Sequence, residues 1–166
     1  ATTNVIRKTD DWFVDKKERF NNYKHFVFVG YGACYGVACE AETKITETCH
    51  VPTHGHELEE YMHGPYLGLH AKDGLFLIDP DGKLSQRMEK LRVFLDKHLD
   101  HTYLITAGES YREEDLSLEL DVSENLTPLV MTVPIHMMSY YLSQMKNHNL
   151  HESFYPEFDE ITGSKV

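Results

Sequence analysis

The chain is poor in several features that would place it outside ordinary globular chemistry. Cysteine is scarce: Cys34, Cys39 and Cys49 are the only three in 166 residues, and none forms a CxxC pair. An odd, unpatterned set argues against a disulfide framework or a thiolate zinc site and fits a reducing, cytoplasmic setting. All three fall in a helical stretch, where small buried thiols are common. Positive charge is also short, with 16 Lys and Arg against 27 Asp and Glu and a net charge of −11. Phosphate backbones need clustered cations, so no nucleic-acid partner is expected. No apolar run approaches the length of a membrane span, so no membrane partner is expected either. The start, Ala1-Thr2-Thr3-Asn4, has neither the basic region nor the apolar core of a secretory signal, and the missing initiator Met fits a processed chain or a fragment. Internal repeats, low-complexity tracts and linkers are absent.

What remains is ordinary: 41% hydrophobic and 26% charged residues, enough for one domain with a sizeable core. Residues 1–23 read as helical, with Val5, Trp12, Phe13 and Phe20 as apolar contacts. Lys24 to Val29 is an apolar run without alternation, as in a strand buried on both faces, and Gly30-Tyr31-Gly32 ends it. Residues 33–48 carry a helical stripe of Cys34, Val37, Ala38, Ala41 and Ile45, with Glu40, Lys44 and Glu47 bordering it. A loop runs from Cys49 to Gly55, and Glu57 to Met62 forms one helical turn.

Further strands are expected at Gly74–Ile78 and Thr102–Thr106, with an alternating edge strand at Leu116–Val122. Asp79-Pro80-Asp81-Gly82 is a turn, and residues 83–98 form an amphipathic helix. Thr127 as N-cap and Pro128 at the first position open a long helix to about Asn147, interrupted at Pro134. The tail from Leu150 reads as extended, anchored by Phe154, Tyr155 and Phe158. Alternating strands and helices imply an α/β sandwich with a mainly parallel sheet covered on both faces, whose chemistry belongs at the carboxyl edge.

Four motifs occur in order: Val29-Gly30-Tyr31-Gly32, Lys44-x-x-Glu47, Glu60-Tyr61-Met62-His63-Gly64-Pro65 and Thr132-Val133-Pro134-Ile135. The His-Gly-Pro triplet, sixteen residues after a helix-borne Glu, is the specific part. Together they resemble the second SIS (sugar isomerase) domain of the glucosamine-6-phosphate synthase and fructosamine-6-phosphate deglycase group, from about Lys24 to His148. The resemblance implies a three-layer αβα sandwich with a flavodoxin-like sheet. It makes residues 1–23 an amino-terminal helical segment or interdomain linker, and 24–166 the second of two tandem domains. The Ser-x-Ser-Gly phosphate loop of the first tandem domain is not found here.

The resemblance also assigns roles. Glu47 is the acid/base that moves a proton between C1 and C2 of an open-chain sugar. His63 assists ring opening, usually at a neighbouring subunit's site. Lys44, Gly30, Gly32 and, from the carboxyl terminus, Lys165 belong to the substrate-binding set. The implied partner is a phosphorylated sugar or sugar-amine, in a homo-oligomer with a shared site and no cofactor.

Chemistry and bland alternatives meet at each residue. Proton transfer beside a carbonyl needs a base strong enough near neutral pH; a partly buried carboxylate serves if desolvation raises its pKa, and a nearby Lys opposes that. The plain alternative is a surface ion pair. His63 sits on a corner set by glycine and proline and suits proton transfer near neutral pH; otherwise it is an exposed loop histidine. His54-Gly55-His56-Glu57 offers metal-ligand types among His50, His54, His56, His63 and His70, but no metal-site spacing, so no metal is assigned. Gly30-x-Gly32-x-x-x-Gly36 departs from the dinucleotide fingerprint and reads as strand-helix packing. The competing functional class is a non-catalytic phosphosugar-binding regulatory module.

Overall fold

The computed structural model describes residues 2–164. Five strands form one all-parallel sheet in the order β2-β1-β3-β4-β5. They are β1 (Phe26–Gly30), β2 (Thr53–Glu57), β3 (Gly74–Asp79), β4 (Thr102–Thr106) and β5 (Leu116–Ser117). The helices are α1 (Thr2–Asn22), α2 (Tyr35–Cys49), α3 (Leu58–Met62), α4 (Ser85–Leu95), α5 (Pro128–Met145) and α6 (Phe158–Thr162). Helices α1, α2 and α5 cover one face, and α3 and α4 the other, which makes the three-layer α/β sandwich.

The central strands β1, β3 and β4 are buried along their whole length. Their aromatic side chains stack between the sheet and α1: Phe28 and Phe76 lie 4.9 Å apart, and Phe76 and Tyr103 4.8 Å. Phe20 of α1 meets Tyr103 edge-on at 5.0 Å. Each such ring buried contributes about 1.5–3 kcal/mol, so the first helix is held by the same core as the sheet.

Several expected boundaries shift. The segment read as a loop at Cys49–Gly55 contains the start of β2, an edge strand with no aliphatic residue. It forms because α2 lies directly on it: a Cβ at Gly55 would sit 2.4 Å from the Ala38 carbonyl oxygen. The edge strand at Leu116–Val122 shrinks to two residues, and Glu119 then turns the backbone to φ +53°. Helix α5 runs through Pro134 without a break. Thr127 does not cap it; its hydroxyl donates to the Glu124 carbonyl at 2.8 Å. The tail is a series of turns ending in α6 rather than extended chain, and Phe154, Tyr155 and Phe158 are exposed.

Candidate active site

Helix α2 starts at the carboxyl edge of β1 and runs back along the sheet. Its 15 residues span about 22 Å. The chain after it reaches the amino edge, where the Pro52 carbonyl accepts the Phe26 N–H at 3.0 Å. Glu47, in the last turn of α2, is therefore at the amino edge and not at the carboxyl edge expected for it.

Lys44 and Glu47 are brought together there, Nζ to Oε2 at 3.0 Å, with side chains 34% and 60% exposed. The hydrogen bond to Glu47 holds the Lys44 ammonium above its ordinary value against some desolvation, aided by the charges of Glu47 and Glu40. One turn earlier, Glu40 Oε1 lies 2.8 Å from His136 Nε2 of α5. His136 had no distinguishing signal in the sequence; only the packing of α5 on α2 brings it alongside. The result is an open strip of two carboxylates, an ammonium and an imidazole that the core does not use.

His63 belongs to the opposite layer. Glu57 caps α3, its carboxylate accepting the N–H groups of Glu59 and Glu60 at 2.7 and 3.2 Å. His63 then closes that helix through its N–H to the Glu60 carbonyl at 3.1 Å. Gly64 has φ 170° and open space where a Cβ would stand, so glycine's freedom is not what sets this corner. Pro65 sets it by opening a 3₁₀ turn, Pro65–Gly68. Glu59 binds Arg87 of α4 with two hydrogen bonds of 2.8 and 3.0 Å. That contact, with the charges of Arg87 and His63, keeps the Glu59 carboxyl below its usual range. A groove of about 310 Å³ adjoins this side, with Met62 and Tyr66 facing Arg87, Lys90 and Phe94. Neither Glu47 nor His63 lines it, and within one chain the two are not brought together.

Gly30 and Gly32 lie at the other end of α2, at the β1/β3 switch point where such folds hold ligands. A Cβ on Gly30 would meet the Cys34 carbonyl oxygen at 2.4 Å, and Gly32 has φ +54°. The crevice there is filled. Tyr31, 1% exposed, donates to Asp79 Oδ1 at 2.8 Å and accepts the Gly82 N–H at 2.9 Å. Asp79 Oδ1 also receives the Asp81 N–H and the Ser85 hydroxyl, so Asp79–Gly82 is a braced turn. Lys165 lies outside the described residues. Among the described residues no three His, Cys, Asp or Glu side chains converge as metal ligands, and no helix is long and apolar enough to cross a membrane.

A family model described as SIS domain matches residues 19–145. The isomerizing glutamine–fructose-6-phosphate aminotransferase of Pyrococcus horikoshii is 29% identical over 148 residues, which are 86% of this chain and 24% of that protein. The chain thus spans about a quarter of the curated relatives it matches. Among solved structures, a protein assigned as a phosphosugar isomerase from Clostridium difficile superposes with a TM-score of 0.85 at 25% identity, covering 99% of this chain and 46% of that one. The carboxyl-terminal domain of the glucosamine-fructose-6-phosphate aminotransferase of Francisella tularensis gives 0.77 at 16% identity, covering 90% and 43%.

Proposed function

The chain belongs to the SIS domain family, and from that membership we propose that it is the carboxyl-terminal half of a phosphosugar isomerase or deglycase acting on a ketose or ketosamine 6-phosphate. The observation that carries this reading is the exposed Lys44–Glu47 pair. It lies with His63-Gly64-Pro65 inside the matched residues 19–145. A carboxylate left on the surface, held by one ammonium and unused by the core, is free to meet a substrate presented by another body.

Because Glu47 and His63 sit in different layers, they act on one substrate only when it lies between two copies of the chain, one giving Glu47 and the other His63. His63 passes a proton to the ring oxygen as the sugar opens. Glu47 removes the C1 proton while the C2 carbonyl oxygen is protonated, giving an enediol or enaminol, and returns it at C2 as the C1 hydroxyl or amine gives up its own proton. With a ketosamine this leaves an imine at C1; water adds there, the C–N bond breaks, and an aldose 6-phosphate and a free amine depart. Lys44, one turn from Glu47, positions the carboxylate and offers a charge to the substrate. Gly30, Gly32 and Lys165 complete the proposed binding set.

The test is turnover by the full-length protein, assayed as aldose 6-phosphate released from fructoselysine 6-phosphate. Glu47→Gln is expected to lower kcat by about 10²–10⁴ with KM little changed. Wild-type turnover by that variant overturns the assignment. The alternative, a phosphosugar-sensing module without turnover, draws on the 60% exposure of Glu47; it predicts binding of the sugar phosphate by both proteins and product from neither.

A further inference from the structure

Beneath α3 lies a second cavity of about 280 Å³ that the proposed reaction does not use. It exists because the crossover from β2 to β3 is made by five-residue α3 and one 3₁₀ turn, too little to cover the sheet face as a full helix would. The floor carries three imidazoles. His54 and His56 alternate onto one face of β2, and His25 stands just before β1. Ring centres are 5.2 Å apart for His25 and His54, and 6.0 Å for His54 and His56. Tyr61 closes one wall, 5.4 Å from the His56 ring.

The polar groups here are under-used. Asp73 is 6% exposed. Its Oδ2 accepts the His70 N–H at 2.9 Å and lies 3.3 Å from His25 Nδ1. Among the described residues the hydroxyl of Tyr61, a residue 2% exposed, makes no hydrogen bond, nor do the ring nitrogens of the half-buried His56 and the exposed His54. These groups line the cleft and are open to its solvent, so a ligand can meet them without breaking a bond inside the protein. Burial, with His54 beside it, pushes His56 below the ordinary imidazole value, against the weaker pull of Glu42 and Glu60. The cleft is therefore rich in acceptors, carries a buried carboxylate and is a poor anion site. Its nitrogens do not converge as a metal ion requires.

We propose that this cleft binds the primary ammonium group of a small alkylamine. An ammonium offers three donors and one positive charge. Those suit the Asp73 carboxylate and the imidazole nitrogens, while the Tyr61 ring face and hydroxyl take the adjoining carbon and remaining contact. Val27 and Leu69 supply an apolar wall for the alkyl chain. The amine freed by a deglycase is of this class, but binding here does not rest on that reaction and is measured without turnover.

The experiment is calorimetric titration of the full chain at about pH 8 with n-butylammonium chloride, n-butanol, glucose and zinc chloride in parallel, with the histidine ring signals followed by NMR. Butylammonium is expected to bind saturably and to shift the His54 and His56 signals, butanol and glucose to do neither. Asp73→Asn, which keeps an acceptor for the His70 N–H, is expected to weaken binding by about tenfold or more, and Tyr61→Phe by several-fold. Tyr61→Phe keeps the ring, so it reports even if the Asp73 variant fails to fold. The proposal is overturned by no saturation up to about 50 mM, by equal binding of butanol, by tighter binding of zinc than of the amine, or by unchanged affinity in Tyr61→Phe.

Discussion

Substituting Gly55 by alanine attacks the contact that lets β2 exist. The added Cβ would stand 2.4 Å from the Ala38 carbonyl oxygen and 2.6 Å from its carbon. Those atoms are helix backbone, so the neighbour cannot swing aside; α2 must lift off the strand. Overpacking of this kind costs about 1–3 kcal/mol. The same movement stretches the 2.7 Å hydrogen bond from the Gly55 N–H to the Glu42 carboxylate, worth about 1.5–3 kcal/mol for a charged acceptor. A total loss of about 2.5–6 kcal/mol is expected. Two further glycines serve for comparison. Gly74→Ala meets the Tyr23 ring at 2.6 Å, a buried side chain whose hydroxyl is bonded to Tyr103, and should also cost about 1–3 kcal/mol. Gly36→Ala, in α2 with nothing within 4 Å, should stabilise by about 0.5–1 kcal/mol through helix propensity. Urea midpoints at constant m-value give the three differences. A Gly55 variant within about 0.5 kcal/mol of wild type refutes the close packing of α2 on β2.

Arg92 and Asp115 form a buried pair, their side chains 2% and 0% exposed. Asp115→Asn leaves the guanidinium without its counter-charge and should cost about 3–5 kcal/mol by urea unfolding; near-neutrality would contradict the burial. His56 is held below its ordinary value by burial, with His54 and His25 adding to the effect and Glu42 and Glu60 opposing it. The unfolded chain then binds the extra proton first as pH falls. The contribution is thus fully present above the unfolded value and lost as pH drops through the lower folded one. Unfolding midpoints measured from about pH 7.5 to 5 should fall less steeply in His56→Gln than in wild type; parallel curves would contradict this.

The strands legible in the sequence were those buried on both faces. Phe26–Val29, Gly74–Ile78 and Thr102–Thr106 are unbroken runs of β-branched, aromatic and aliphatic residues, and a parallel sheet covered by helices demands that pattern. Thr53–Glu57 carries no such signal. One of its faces is pressed so closely by α2 that only glycine fits; the other opens on the histidine cleft. Its hydrogen bonds to β1 are a tertiary fact. Pro134 misleads for a related reason: α5 packs on α1 and α2 over its whole length, and that packing outweighs the missing N–H.

At the candidate site, the Lys44–Glu47 contact followed from helical spacing, and the tight corner at His63 from its proline. The placement of Glu47 at the carboxyl edge failed because α2 is long enough to carry its last turn to the amino edge. Glu40–His136 and Glu59–Arg87 join elements far apart in the chain, and spacing along the sequence holds no trace of either.

Subunit complementation tests most directly whether Glu47 and His63 serve one site from different copies. Full-length Glu47→Gln and His63→Asn proteins, each inactive alone, are unfolded together and refolded as a mixture. If each site takes Glu47 from one copy and His63 from its partner in a dimer, half of the mixed dimers' sites are intact, and about a quarter of wild-type turnover returns. A mixture as inactive as either parent, with mixed dimers verified by mass, contradicts the shared site.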